Sequence, residues 1–177
     1  MIKKALIAAT AAGVAFQIGH FAEHAYQFGH WVLVDRTKPW MSGAADWLVR
    51  SIGVIADCGS KLGMELLHLG GNSIFLATIA GLLILKVGER KNMWRAFNVE
   101  LFHLTEHIML VLSVAAIGRP MGWSTLFGLA PEWFGANAAV GYRVGWHFFL
   151  NLIPTALMMV ALMPRFMRKS GCQTCTT

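Results

Sequence analysis

The amino-acid sequence predicts an all-α integral membrane protein: a four-helix bundle built as a duplicated helix hairpin, with an interfacial helix in its first long connection. Three observations carry this expectation. Hydrophobic residues make up 56% and charged residues 14% of the 177 positions, whereas soluble domains carry roughly 25% charged residues. Four apolar stretches, at about 5–34, 64–88, 94–118 and 141–164, each exceed the roughly 20 helical residues needed to cross hydrocarbon. A short pattern of histidine, glutamate and asparagine also recurs in alternate stretches, as a duplicated hairpin would produce.

The first stretch follows Lys3 and Lys4. Its opening, MIKKALIAATAAGVAF, resembles a secretory signal in charge and apolarity. We read it as retained, because the apolar run continues into a histidine-bearing segment without a convincing cleavage site. Residues 39–61 follow, where Trp40, Trp47, Leu48, Ile52 and Ile55 alternate with polar positions. That pattern predicts a helix lying in the membrane interface. The second and third stretches are joined by the short connection VGERKNMWR, which predicts an antiparallel hairpin. Residues 119–140 carry Pro120, Trp123, Phe127, Pro131, Trp133 and Phe134, a composition of the membrane–water boundary. This segment reads either as a lid or as a headgroup-level anchor. In the fourth stretch Pro154 is expected to kink the helix near Asn151. Residues 166–177 form a tail.

Nine Lys/Arg flank the side holding both termini and the short connection, against one acid, Glu89. The two long connections hold six basic residues (Arg36, Lys38, Arg50, Lys61, Arg119 and Arg143) against four acids (Asp35, Asp46, Asp57 and Glu132). The positive-inside tendency places both termini in the cytoplasm, in a multi-pass protein of the inner membrane. The net charge of +6 is thereby a topology signal, and no nucleic-acid partner is expected.

Six of the seven histidines, and four of the six glutamates, lie among these apolar residues. They are His20, His24, His68, His103, His107 and His147, with Glu23, Glu65, Glu100 and Glu106. An ionisable group at the bilayer centre costs several kcal/mol unless it faces the interior and is paired or ligated. The first stretch reads Gln17-x-x-His20-x-x-Glu23-His24, and the third reads Glu100-x-x-His103-x-x-Glu106-His107. The second reads Glu65-x-x-His68-x-x-x-Asn72, and the fourth reads His147-x-x-x-Asn151. Steps of three and four put each set on one helical face.

Imidazole nitrogen with carboxylate oxygen suits Zn, Cu, Fe or Mn, so one or two transition-metal ions are expected. One set takes His20, His68, His103 and His147, one from each helix. A second takes His24 and His107 with Glu23 or Glu106. Asn72 and Asn151 would fix imidazole tautomers, and Glu65 and Glu100 would orient the rings. With this topology His20, His24, His68 and His147 meet in the outer half of the membrane. His103 and His107 reach that level only with tilt, leaving one site or two open. The competing readings of the same residues are a hydrogen-bonded polar seam and a proton path. The pattern HxxEH also matches inverted zinc proteases, but five-residue patterns recur by chance.

Other features have weaker implications. Met159, Met163 and Met167, with Met158 beside them, recur at helical spacing, as apolar filler or a copper relay. His30 continues the first stripe and is a candidate entry ligand. Cys172 and Cys175 form a CxxC in the tail, and Cys58 lies in the first long connection.

Four functions are open on these residues. A redox metalloprotein with an Fe or Cu centre would act on a small apolar molecule or a quinol entering from lipid. A transition-metal transporter would use the same ligands transiently. A small b-type cytochrome would ligate haem b through pairs such as His20/His103 or His68/His147, with Gly19, Gly70, Gly71 and Gly145 admitting the macrocycle. A non-catalytic subunit of a larger membrane complex would use the seam structurally, and a homo-oligomer is equally compatible.

Overall fold

The computed structural model describes residues 2–56 and 59–170, with side chains described as far as Met163. Cys58, Cys172 and Cys175 lie outside the described residues, as does the side chain of Met167. Among the described residues all regular structure is helical. The elements are α1 (Ile2–Leu33), α2 (Gly43–Ile55), α3 (Gly59–Ile84), α4 (Arg90–Ile117), a 3-10 turn (Trp123–Gly128), α5 (Ala130–Phe134) and α6 (Ala136–Ser170).

Four helices, α1, α3, α4 and α6, are long and apolar enough to cross a membrane. Three of them start earlier than hydropathy indicates, at 59 against 64, 90 against 94 and 136 against 141. A helix ends where its caps lie, and polar residues outside the hydrocarbon extend it at no cost. The Glu89 carboxylate caps α4 by accepting from the Lys91 and Asn92 amides, both at 2.8 Å. Gly118, at φ 70°, closes the same helix in the left-handed conformation. α6 is a continuous helix through Pro154.

The expected interfacial segment contains α2. Ser42 caps it by accepting from the Ala45 amide at 3.1 Å. α2 packs on α3 through glycine, since a Cβ at Gly53 would stand 2.8 Å from the Gly59 carbonyl oxygen. Trp47, Val54 and Ile55 stay exposed, consistent with an element facing the interface.

Each long helix packs against two others, in the cyclic order α1–α3–α4–α6. α1 and α3 approach closely at reciprocal small residues, where Thr78 faces Gly13 and Thr10 faces Gly81. Small residues at a crossing are the usual route to close packing in lipid, where burying apolar surface gives no water-driven gain. The turn between α3 and α4 is pinned to α6 by the Glu89 amide, which donates to the Ala161 carbonyl at 2.7 Å.

The interior has two zones. Near the termini, Phe75, Ile79 and Leu82 of α3 join Met93 and Ala96 of α4 and Met158 and Ala161 of α6 in an apolar cluster. Toward the other end, which carries the two long connections and is here termed the loop end, many of the buried side chains are polar, beside apolar ones such as Leu110 and Val49. The polar ones include Gln17, His24, Glu65, Asn72, Glu100, His103, Glu106, His107, His147 and Asn151. Large apolar side chains such as Phe16, Ile18, Leu101, Phe102, Leu112, Phe149 and Val160 are exposed instead. Polar inside and apolar outside is the distribution a lipid solvent selects.

Candidate metal centre

The cyclic packing turns the four polar stripes toward one another, and all six predicted histidines meet in one connected group. Within α1 the His20 and His24 ring centroids are 4.6 Å apart, and within α4 those of His103 and His107 are 4.9 Å apart. From α3, His68 lies 6.3 Å from His20 and 5.5 Å from His24. From α6, His147 lies 6.0 Å from His103 and 5.0 Å from His107. His68 and His147 are 5.8 Å apart and join the halves. Two cross-contacts, His24–His147 at 6.4 Å and His68–His107 at 5.3 Å, close the group.

The grouping differs from the expected set of one histidine per helix. Ligand atoms of His103, His107 and His147 converge to within 4.8 Å of one another, all three residues being buried. Two residues four apart share a helical face, so His103 and His107 act together before either reaches across to α1.

Ring orientation follows from hydrogen bonds. The His68 Nδ1 lies 2.8 Å from the Met64 carbonyl, and the His147 Nδ1 lies 2.9 Å from the Arg143 carbonyl. A carbonyl only accepts, so both Nδ1 atoms carry the proton and both Nε2 atoms present lone pairs. Asn72 and Asn151 had been expected in this role. Asn151 instead donates to the His147 carbonyl at 2.9 Å and accepts from the Gln17 amide at 3.5 Å. Gln17 also donates to Thr155 at 3.0 Å. The Asn72 amide is buried without a hydrogen-bond partner. The backbone wins because a histidine on a helix always has the carbonyl four residues earlier within reach.

On α4 the Nε2 atoms of His103 and His107 stand 3.2 Å apart. Two nitrogens each about 2.0–2.1 Å from a tetrahedral ion lie roughly 3.3 Å apart, so the pair has the spacing of adjacent ligands. The same distance suits a shared proton. A carboxylate stands on the far side of each ring. Glu100 Oε2 is 3.5 Å from His103 Nδ1, and Glu65 Oε2 is 4.0 Å from His107 Nδ1. Neither contact is a hydrogen bond, and both Nδ1 atoms are buried without a hydrogen-bond partner, so both rings keep nitrogens uncommitted to protein donors or acceptors on that side.

The remaining acids point elsewhere. Glu106, expected as a ligand, uses both oxygens on the second long connection, accepting from the Trp123 amide at 2.9 Å and the Ser124 amide at 2.8 Å. Glu23, its counterpart on α1, accepts from the Ser42 hydroxyl at 2.7 Å and the Ser42 amide at 3.2 Å. Each glutamate of an HxxEH stripe therefore ties down the connection that follows its helix. Both Glu106 oxygens are thus engaged by backbone amides of that connection. In the 119–140 segment the backbone of residues 123 and 124 is held against Glu106, while Trp123, Phe127, Trp133 and Phe134 are exposed.

Arg143 was grouped with the loop cations but belongs to α6, where its guanidinium pairs with buried Glu65. Its spacing was the available signal, since it precedes His147 by one helical turn. A cavity of about 460 Å³ reaches this pair from the loop end, past Met41, Asp46, Lys61 and Met64. His30 stacks on Tyr26. Met158 is fully buried, whereas Met159 and Met163 are exposed, so the methionines do not line an interior path.

No curated protein matches the chain, and no solved structure matches it. Residues 1–175 match a family of unknown function, and the chain belongs to that family, DUF6008.

Proposed function

We propose that this protein is a redox metalloprotein of the inner membrane, with an iron or copper ion held by His103, His107 and His147 inside a four-helix bundle. The observation that carries the reading is the convergence of three buried imidazoles within 4.8 Å, two of them with Nε2 atoms 3.2 Å apart. Buried polar groups in lipid need partners, and an ion shared by three neutral imidazoles supplies one at no cost in buried charge repulsion. The role is oxygen activation or electron transfer, with a small apolar molecule or a quinol as reaction partner. Zinc in the same ligands would point to a structural or transport role.

The bundle is best understood as a duplicated hairpin, α1–α3 repeated as α4–α6. Support comes from matched hydrogen bonds, with His68 and His147 each bonded to the carbonyl four residues earlier. Glu23 and Glu106 likewise each hold the following connection. The positive-inside tendency puts both termini in the cytoplasm and the histidines in the outer half of the membrane.

Transport is the second reading, and one observation weighs against it. Between the histidines and the terminal end lies the apolar cluster around Phe75, Ile79, Met93 and Met158, each 0% exposed. A dry plug suits a resident ion better than a passing one. A haem is disfavoured by the imidazoles themselves, whose mutual packing leaves no slab for a macrocycle.

The test is metal analysis by mass spectrometry of detergent-purified protein, with visible spectra before and after dithionite. The expected result is bound iron or copper without a Soret band, lost in His103→Ala. Protein that stays free of metal after reconstitution with iron, copper and zinc would overturn the reading.

A further inference from the structure

The histidine rings on the other half of the molecule repeat the centroid spacing of the three just assigned, although among the described residues only the first trio brings its ligand atoms within 4.8 Å of one another. We propose a second metal site formed by His20, His24 and His68, making the centre dinuclear. The proposal rests on the metal-centre reading and extends it from one ion to two.

Four pairs of distances carry it. His20–His24 at 4.6 Å matches His103–His107 at 4.9 Å. His20–His68 at 6.3 Å matches His103–His147 at 6.0 Å. His24–His68 at 5.5 Å matches His107–His147 at 5.0 Å, and the cross-contacts are 6.4 and 5.3 Å. Both trios combine a pair spaced i, i+4 on one helix with one histidine from the adjacent antiparallel helix. Rotation of the rings about their side-chain bonds would turn three nitrogens of such a trio toward one ion, a set that zinc, copper and iron accept.

The nitrogens are available. His68 spends its Nδ1 on the Met64 carbonyl, so its Nε2 is the ligand atom. The Nε2 of His20 is buried and has no hydrogen-bond partner, an expensive state for a polar atom inside a membrane protein. Space exists as well, because Gly71 stands opposite, where even an added Cβ would lie 3.6 Å from the His20 ring.

The two sites differ in the polar group behind them. Behind His103 stands the Glu100 carboxylate, 3.5 Å from Nδ1. The residue at the matching position behind His20 is Gln17, whose amide donates to Thr155 and Asn151. A neutral amide raises ligand basicity less than a carboxylate does. The His20 trio therefore binds the more weakly held ion, and filling is sequential.

The experiment is a zinc titration of the purified, metal-stripped full chain in detergent, with bound zinc quantified by mass spectrometry. The expected result is two ions per chain in two affinity steps. Folded His20→Gln/His24→Gln should keep only the tighter step, and folded His103→Gln/His107→Gln only the weaker. One ion per chain in the unaltered protein overturns the second site and leaves the first standing. No ion overturns both. A folded His20→Gln/His24→Gln variant that still binds two ions, or none, also overturns the proposal. If that variant does not fold, copper(II)-loaded unaltered protein decides by electron paramagnetic resonance. A spin-coupled pair supports two neighbouring ions, and an isolated copper signal at saturation refutes them.

Discussion

Replacing Glu106 with Gln separates its structural role from a ligand role. The side chain is 1% exposed, and its two oxygens accept from the Trp123 and Ser124 amides at 2.9 and 2.8 Å. Hydrogen bonds to a charged acceptor contribute about 1.5–3 kcal/mol each, so Glu106→Ala should cost about 3–6 kcal/mol. The Gln variant keeps the shape but offers one acceptor, and its NH2 group faces the second backbone donor. Its cost is about 2–4 kcal/mol. For a chain of this size that lowers the melting temperature by roughly 5–15 °C. Melting would be followed by tryptophan fluorescence in detergent, with limited proteolysis of residues 119–135 and zinc content in parallel. The reasoning requires earlier melting and faster cleavage, with zinc retained at saturation. A Gln variant that melts normally, resists cleavage and has lost its metal would show that the carboxylate is a ligand, and the loop-anchoring argument would fail.

Arg143→Met should destabilise by about 3–5 kcal/mol, because it leaves the Glu65 carboxylate buried and unpaired. Adding Glu65→Gln should recover most of that loss in thermal melts, whereas strictly additive losses would refute the pairing. Gly13→Ala places a methyl group against the Thr78 side chain and should cost about 1–3 kcal/mol. Thr78→Ala in the same chain should relieve part of it, and no relief would mean the helices cross elsewhere. At the exposed start of α4, backbone amides of Asn92 and then Lys91 hold the Glu89 carboxyl below its ordinary range. A depressed folded pKa means the cap contributes in full above the ordinary glutamate range and is lost as pH falls from that range through the lower folded value. Hydrogen exchange of the Lys91 and Asn92 amides, corrected for intrinsic rates, should therefore speed up on acidification. Glu89→Gln should exchange faster already at neutral pH.

Several features were legible in the residues alone. Four spans follow from lengths of apolar sequence, because the backbone must satisfy its own hydrogen bonds in lipid and only a helix does so within one segment. The inward faces follow from steps of three and four between ionisable residues, and α2 follows from its broken apolar pattern. Hydropathy omits residues 59–63, 90–93 and 136–140 from the helices because it measures the hydrocarbon edge, whereas caps such as Glu89 decide where a helix begins.

The division of labour among the polar residues was decided only in three dimensions. Sequence spacing made His103 a partner of His20 as readily as of His107. The packing order α1–α3–α4–α6 brings His103 and His107 together with His147 instead. HxxEH appeared to offer three ligands, yet Glu23 and Glu106 fall on the flank of each stripe that meets the following connection, where backbone amides claim them. Arg143 reads as a loop cation by its charge, yet it lies in α6 one turn before His147, where the packing of α6 brings it to Glu65. Periodicity reports which face a residue occupies. Which neighbour waits across that face depends on helix order and crossing, and no local pattern encodes either.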